Sequence, residues 1–320
     1  MNLDAIYQPI KDDLVKVEHS LKSVSNVDIP LLSQLLEYML QNGGKRIRPA
    51  FTLFAGLFYH YDLNLLVPMA TATELLHNAT LVHDDIVDNA PTRRGKQSIS
   101  HAWGEASALL LGDYLFAKAG MLVASTGNLR VVKLFAQTLM TISSGELAQI
   151  NVLFDRKRAR EHYYNWISAK TACLFAMATE SGAVLSQAPE TAINGLKEYG
   201  HNFGMAFQVI DDVLDFTARE EELGKPVGSD LIEGAVTLPS ILFAESSPDS
   251  NLLKSIIENK DIDKVALIVE KIRNSSIIDD CLAIASDFCT KACQSLEQLP
   301  DNHARQSLIG LATYVIKRRK

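Results

Sequence analysis

The chain has 320 residues, 47% hydrophobic and 22% charged, with 31 basic and 38 acidic side chains and a formal net charge of −7. With only 10 prolines and 17 glycines, no stretch reads as a linker or low-complexity tail, and there is ample apolar chain for one large core. The acidic balance excludes a general nucleic-acid binder, which needs a basic face to neutralise phosphates.

Positions 1–20 carry Asp4, Lys11, Asp12, Asp13 and Lys16, so the secretory apolar run is missing and a cytoplasmic location is expected. Apolar residues then recur at three- and four-residue spacing, as in Leu31, Leu32, Leu35, Leu36 and Leu40, and again at Val265, Leu267, Ile268 and Ile272. That is the period of an amphipathic helix, and alternating β-branched strands bounded by hairpin turns are not found. The chain is expected to be all-α and to form a single domain over residues 1–320.

The first helix break opens the run Gly43-Gly44-Lys45-Arg46-Ile47-Arg48-Pro49. The glycines suit the end of one helix and Pro49 the first turn of the next. Lys45 and Arg48 then flank a helix N-terminus, where free amides and the dipole favour an anion. A solvated basic loop is the plain alternative.

Asp84-Asp85-Ile86-Val87-Asp88 follows, and Asp211-Asp212-Val213-Leu214-Asp215 repeats it, with carboxylates at i, i+1 and i+4. A helix turns about 100° per residue, which brings the first and last carboxylates of each cluster within roughly 40° of each other. Both clusters sit in apolar sequence, where three carboxylates are costly unless cations neutralise them. Hard oxygen ligands without thiolates point to Mg²⁺, with Mn²⁺ as the alternative, bridging carboxylates to substrate phosphates. His77, seven residues before Asp84, shares its helix face, while His83 reads as structural. After a break at Pro91, Arg93-Arg94-Gly95-Lys96 supplies two guanidiniums able to grip phosphate bidentately, or to form surface salt bridges.

The most apolar stretch, Ser107 to Ser125, is interrupted by Asp113 and Lys118 and reads as a buried helix rather than a membrane span. Lys170 and Thr171 form a polar pair on an apolar helix, where a lysine running its stem along apolar surface is the ordinary account. Gln208 lies in the helical turn before Asp211, and Lys225 stands on a glycine-containing loop after the second cluster. Cys173, Cys281, Cys289 and Cys293 form no CxxC pair and are expected to be buried thiols in a reducing cytoplasm. The terminal Lys317-Arg318-Arg319-Lys320 suits a solvated helix end, with closure over a substrate or at most peripheral contact with anionic lipid as alternatives.

In order, the chain reads GGKRIRP, HDDIVDNAPTRRG, GDYLFA, SGELAQ, AKTACLF, FQVIDDVLDF and GKPVGSD followed by TLP. From about Gly43 to the C-terminus it resembles the trans-prenyltransferases, or polyprenyl diphosphate synthases. The resemblance implies an all-helical homodimer of the isoprenoid synthase type, each subunit a single large bundle around a deep central cavity. It implies that Asp84, Asp85, Asp88, Asp211, Asp212 and Asp215 hold Mg²⁺ on an allylic diphosphate, with Asp211 and Asp212 the strongest of the second cluster. Arg93, Lys170, Thr171, Gln208 and Lys225 would contact that substrate, and Lys45, Arg48, His77 and Arg94 would hold isopentenyl diphosphate. Lys170, with Asp84, Asp85, Asp88, Asp211 and Asp212, would be catalytic. One departure is Ala235, where many members carry lysine.

The implied reaction is a head-to-tail condensation by ionisation of the allylic diphosphate. In short-chain members of the family, aromatic residues five and four positions before the first aspartate block the growing tail. Ala79 and Thr80 stand there, so a long, hepta- or octaprenyl-like product is expected, with geranylgeranyl or farnesyl diphosphate as the shorter alternative. A squalene- or phytoene-synthase-like head-to-head enzyme would have no use for Lys45, Arg48 and His77. A phosphohydrolase built on His83-Asp84 would leave the second cluster unexplained, and a regulatory subunit would be expected to have lost acidic ligands.

Overall fold

The computed structural model describes residues 2–41, 43–150, 158–218, 227–247, 252–253, 255–256 and 262–318. Helices α1 (Leu3–Tyr7), α2 (Lys11–Ser23), α3 (Pro30–Gln41), α4 (Ile47–Gly56) and α5 (Leu63–Val87) lead to two short strands. These are β1 (Thr92–Arg93) and β2 (Lys96–Gln97), followed by α6 (Ile99–Trp103), α7 (Glu105–Ser125), α8 (Leu129–Ile150) and α9 (Ala159–Ile167). A π-helical turn, Ser168–Ala172, joins α9 to α10 (Cys173–Leu185). Helices α11 (Glu190–Thr217), α12 (Ser229–Glu233), α13 (Leu238–Ser246), α14 (Val265–Arg273), α15 (Ile277–Ser295) and α16 (His303–Ile316) complete the order. Among the described residues the chain is all-α apart from the small β1–β2 ladder.

Contacts divide it into two compact units, the first comprising Met1–Thr138, Leu174–Gly200 and Ser295–Gly310. Its axis is α5, which starts where the Asp62 side chain accepts the Asn64 amide at 2.9 Å, the usual way an N-cap satisfies a free donor. Leu66, Met69, Ala70, Ala72, Leu75, Leu76 and Ala79 along it are fully buried. Helix α7 packs so closely that a Cβ at Gly112 would lie 2.1 Å from His83 Nε2. His83 in turn meets the Leu109 carbonyl at 3.1 Å, the structural role its sequence position suggested. Helix α10 crosses α4 at a second close approach, where a Cβ on Gly182 would fall 2.3 Å from the Thr52 carbonyl oxygen. Phe51 lies against Phe175 and Tyr199 with ring centroids 5.4 and 5.5 Å apart, which closes this core.

Two expectations are corrected in this unit. The β1–β2 hairpin was not anticipated because each strand has only two residues, too few for alternation to show. Its turn residues Arg94 (φ 53°) and Gly95 (φ 77°) both adopt positive φ, the geometry of a two-residue hairpin turn. Helix α7 is also less buried than its composition suggested. Leu109, Leu110 and Met121 are 51%, 68% and 69% exposed, and the helix is long and apolar enough to cross a membrane by length and composition alone. Its apolar residues surround the helix, so one set packs on α5 while another faces outward.

The second unit comprises Leu139–Cys173, His201–Gln294 and Leu311–Lys320. Tyr164 packs edge-on against Phe288 at 6.0 Å, and Arg160 on α9 pairs with Glu245 on α13 at 2.8 Å. Arg273 closes α14 onto the end of α11 through the carbonyls of Phe216 and Ala218. Cys281 and Cys289 are buried here, and burial pushes both thiols up to about 12, which leaves them protonated and inert.

Candidate active site

In the first unit the basic loop, the first acidic cluster and the hairpin are brought together. Asp84 is partly exposed and Asp88 exposed, one turn apart near the end of α5, whereas Asp85 is buried. Asp85 accepts from Arg93 Nε at 2.8 Å. Burial raises the Asp85 carboxyl, and the Arg93 bond opposes that rise. The cluster thus separates by role: its outer aspartates face outward while the middle one anchors the hairpin. Tyr38 fixes the same hairpin by donating to the Gln97 carbonyl at 2.8 Å. A cavity of about 40 Å³ lies behind it, lined by Tyr38, Asn78, Leu81, Asp85, Arg93 and Ile99 among others.

Arg94 reaches back to the Gly43 carbonyl at 2.7 Å, which joins the hairpin to the Lys45 loop. Lys45 is exposed, and its own carbonyl accepts from the Tyr7 hydroxyl at 2.9 Å. Arg48 stacks its guanidinium 4.5 Å over the Phe175 ring. His77 is partly buried, and burial together with Arg48, Arg94, Arg93 and Arg46 holds its imidazole well below its ordinary value. It is therefore a neutral hydrogen-bonding group at neutral pH, surrounded by cations suited to a polyanion.

Sequence reasoning missed Glu74, whose side chain accepts from Arg46 Nη1 at 2.8 Å. Its place in the apolar run before His77 was at most a faint cue, because its partner Arg46 is 28 positions away. Ala79 and Thr80 also need correction as a pair. Ala79 is fully buried, whereas Thr80 is partly exposed and donates to the His77 carbonyl at 2.8 Å. Counting back from Asp84, four residues return to the same helix face and five do not, so Thr80 is the position beside the aspartate.

In the second unit Asp211 is partly exposed, while Asp212 and Asp215 are buried. Asp212 accepts from the Tyr163 hydroxyl at 2.6 Å and from Gln208 Nε2 at 2.9 Å, and Gln208 accepts from Thr171 at 2.7 Å. Burial and then Asp230 push the Asp212 carboxyl well up, against the pull of those two donors. Asp215 accepts from Ser229 Oγ at 2.8 Å and from the Asp230 amide at 3.2 Å, so it fastens the start of α12 to α11. The π-helical turn carries Lys170 and Thr171 in successive positions, with Lys170 on Glu146 at 3.1 Å and over the Trp166 ring at 5.6 Å. Such turns occur disproportionately at functional sites. Tyr163, seven residues before Lys170, was a second omission, since an aromatic residue at helical spacing reads as ordinary core.

Within the terminal basic run Lys317 is exposed, as a solvated helix end would be, but Arg318 is not. Arg318 is 16% exposed, pairs with Asp211 at 2.7 Å and stacks 4.7 Å over Phe207. Lys225 lies outside the described residues, as do Arg319 and Lys320.

Among the described residues no three acidic, histidine or cysteine side chains form a ready-made metal shell. The outward aspartates fit a small hard cation all the same: they offer only oxygen, and too little of it to satisfy an ion alone. Mg²⁺ is typically held in that way, by one or two carboxylates with substrate phosphate and water completing the shell.

A model of the polyprenyl synthetase family matches residues 29–273. The chain is 38% identical over 320 residues to heptaprenyl diphosphate synthase component 2 of Bacillus subtilis, covering 100% of this chain and 92% of that one. It is 34% identical over 321 residues to octaprenyl diphosphate synthase of Escherichia coli, covering 99% of each. Among solved structures, heptaprenyl diphosphate synthase from Staphylococcus aureus matches with a TM-score of 0.92 at 34% identity, covering 100% of this chain and 99% of that one. A polyprenyl synthase from Caulobacter crescentus, complexed with calcium and isoprenyl diphosphate, matches with a TM-score of 0.94 at 33% identity, covering 100% and 98%.

Proposed function

The chain belongs to the polyprenyl synthetase family, and from that premise we propose that it condenses isopentenyl diphosphate with allylic diphosphates into a long-chain polyprenyl diphosphate. It is an enzyme that transfers prenyl groups. The observation that carries the detailed reading is the cationic group formed by Arg48, Arg94, Arg93 and Arg46 around the neutral His77, on the same helix that carries Asp84 and ends at Asp88. Relatives named heptaprenyl and octaprenyl diphosphate synthases support the long product, as does the small Thr80 beside Asp84. The family match runs through segments of both compact units, which supports treating the chain as one functional domain.

In this reading Lys45, Arg48, His77 and Arg94 hold the diphosphate of isopentenyl diphosphate. Of the six aspartates expected to hold metal, the more exposed Asp84, Asp88 and Asp211 would be the direct ligands. Asp85, Asp212 and Asp215 fix the local backbone and neighbouring donors through the bonds described above. Mg²⁺, when bound, would neutralise charge on the departing diphosphate. Arg93, Lys170, Thr171, Gln208 and Lys225 serve the same allylic group, as the family pattern implies. They orient it so that charge developing on its oxygens meets fixed donors, which lowers the barrier to C–O ionisation. Holding the second substrate in register converts the C–C step into a local encounter, and the released diphosphate is the base that takes the final proton.

A homodimer is part of this reading, supported by the exposed Leu109, Leu110 and Met121 on α7. A second reading, a heteromeric enzyme, is favoured by the name "component 2" on the Bacillus subtilis relative. Four free cysteines agree with a cytoplasmic location. The test is to incubate the purified protein with labelled isopentenyl diphosphate and geranyl, farnesyl or geranylgeranyl diphosphate, then to separate the dephosphorylated products. Hepta- or octaprenol is expected. Farnesol as the main product overturns the chain-length reading, activity without isopentenyl diphosphate favours head-to-head coupling, and no activity from the chain alone favours the heteromer.

A further inference from the structure

Arg46, between Lys45 and the first turn of α4, is a non-glycine residue in the left-handed region, with φ 49°. That conformation costs on the order of 1–3 kcal/mol and persists only where surroundings enforce it. Two carboxylates enforce it here. The guanidinium donates to Glu74 on α5 at 2.8 Å and to both oxygens of Glu18 on α2, one of them at 3.3 Å. The Arg46 and Glu74 side chains are 11% and 6% exposed, so this is a desolvated pair rather than a surface contact. Burial alone would lower the Arg46 guanidinium, but Glu18 and Glu74 together raise it.

The surroundings show what the pair holds. A Cβ at Gly44 would lie 3.3 Å from Arg46 Nη1, 3.6 Å from Arg94 Nη1 and 3.8 Å from Glu74 Oε1. The loop backbone therefore rests directly on these three side chains. Glu74 precedes His77 by three residues on the same helix, so one carboxylate fixes the loop relative to that imidazole. Four arginines, Arg46, Arg48, Arg93 and Arg94, crowd around His77, and like charges at such distances repel unless an anion intervenes. Glu74 pairs with Arg46 out of solvent, while Lys45 is exposed and Arg48 stacks over Phe175.

We infer that Arg46 and Glu74 are a positioning pair, which presets the Lys45–Arg48 loop and His77 for the isopentenyl diphosphate without touching that substrate. The inference rests on the prenyltransferase reading above. Its consequence is selective, because only the substrate held by this loop should feel the loss of the pair. Arg46→Lys keeps a positive charge but lacks the planar fork that reaches two carboxylates at once.

The experiment measures KM for isopentenyl diphosphate and for the allylic primer separately in Glu74→Gln and Arg46→Lys, with thermal melts of each. Both variants are expected to raise KM for isopentenyl diphosphate about tenfold, equivalent to about 1.4 kcal/mol. KM for the primer and product length should stay within about twofold. The double variant should be no worse than the poorer single one, as befits residues that act as one unit. An unchanged KM for isopentenyl diphosphate in a folded variant overturns the inference, as does an equal rise for both substrates. Should Glu74→Gln fail to fold, Arg46→Lys alone decides. A parent protein that incorporates no isopentenyl diphosphate sinks the functional reading instead. Calorimetric binding of inorganic diphosphate then tests the pair independently, and equal affinity in parent and variants overturns it.

Discussion

Replacing Tyr163 with Phe removes one oxygen from a site with almost no solvent. Tyr163 and Asp212 are 3% and 1% exposed, and the hydroxyl donates to Asp212 Oδ2 at 2.6 Å, the short distance expected of a hydroxyl on a carboxylate. Gln208 still serves Oδ1 at 2.9 Å, so Asp212 keeps one of these two donors and loses the other. Hydrogen bonds to charged groups are worth about 1.5–3 kcal/mol net, and the ring itself keeps its packing, so the expected loss is about 2 kcal/mol. For a chain of this size that is a fall in Tm of about 4–8 °C at most. Urea unfolding of Tyr163→Phe, Asp212→Asn and the double variant measures it. The pair should show a coupling of about 1 kcal/mol or more. A loss under about 0.5 kcal/mol, or strictly additive single effects, refutes the assignment of Tyr163 as the anchor of the second cluster.

Three other outcomes are expected. Asp84→Ala and Asp211→Ala should each lower turnover by about 10²–10³-fold, with little change in urea midpoint for Asp84→Ala and a lower one for Asp211→Ala, which also deprives Arg318 of its partner, and near-parental rates would remove the metal-ligand role. Thr80→Phe should shift the product to shorter polyprenols by chromatography, whereas Ala79→Phe, at a fully buried position, should chiefly destabilise by about 1–3 kcal/mol through overpacking. An unaltered product from a folded Thr80→Phe variant would count against Thr80 as the limiting wall. His77 is depressed first by burial and then by its arginine neighbours, so the unfolded chain takes up that proton more readily than the folded one. The stability this contributes is complete above the ordinary value of 6.5 and is lost as pH falls below it toward the folded value. His77→Gln should therefore flatten the fall in unfolding free energy between about pH 7.5 and about pH 5.5, and an unchanged slope would contradict a neutral His77.

The helical class was legible from apolar spacing, and the acidic clusters from carboxylates repeated at i, i+1 and i+4. Division of labour inside each cluster was not. Helical periodicity groups Asp84 with Asp88 and equally Asp211 with Asp215, yet Asp215 turns to Ser229 on a following segment. Such long-range partners leave no mark at short sequence spacing. Tyr163, Glu74 and Glu146 escaped notice for the same reason, since each matters through a residue at least 24 positions away. The basic end at Arg318 was read as solvent-facing because charge at a helix terminus usually is. Asp211 and Phe207 are its actual surroundings. Outward apolar residues on α7 show the opposite failing: hydropathy reports that a residue avoids water, not which neighbour in the subunit, if any, shields it.

The β1–β2 turn has a further bearing on which sequence lengths this fold tolerates. Thr92 pairs with Gln97 and Arg93 with Lys96, across a turn of only two residues. Inserting or deleting one residue there would shift the register and reverse the sides on which successive side chains emerge. Arg93 would swing away from Asp85, and Arg94 would lose the Gly43 carbonyl. This outward-facing loop, of a kind that elsewhere drifts freely in length, should be as intolerant of indels as a buried strand.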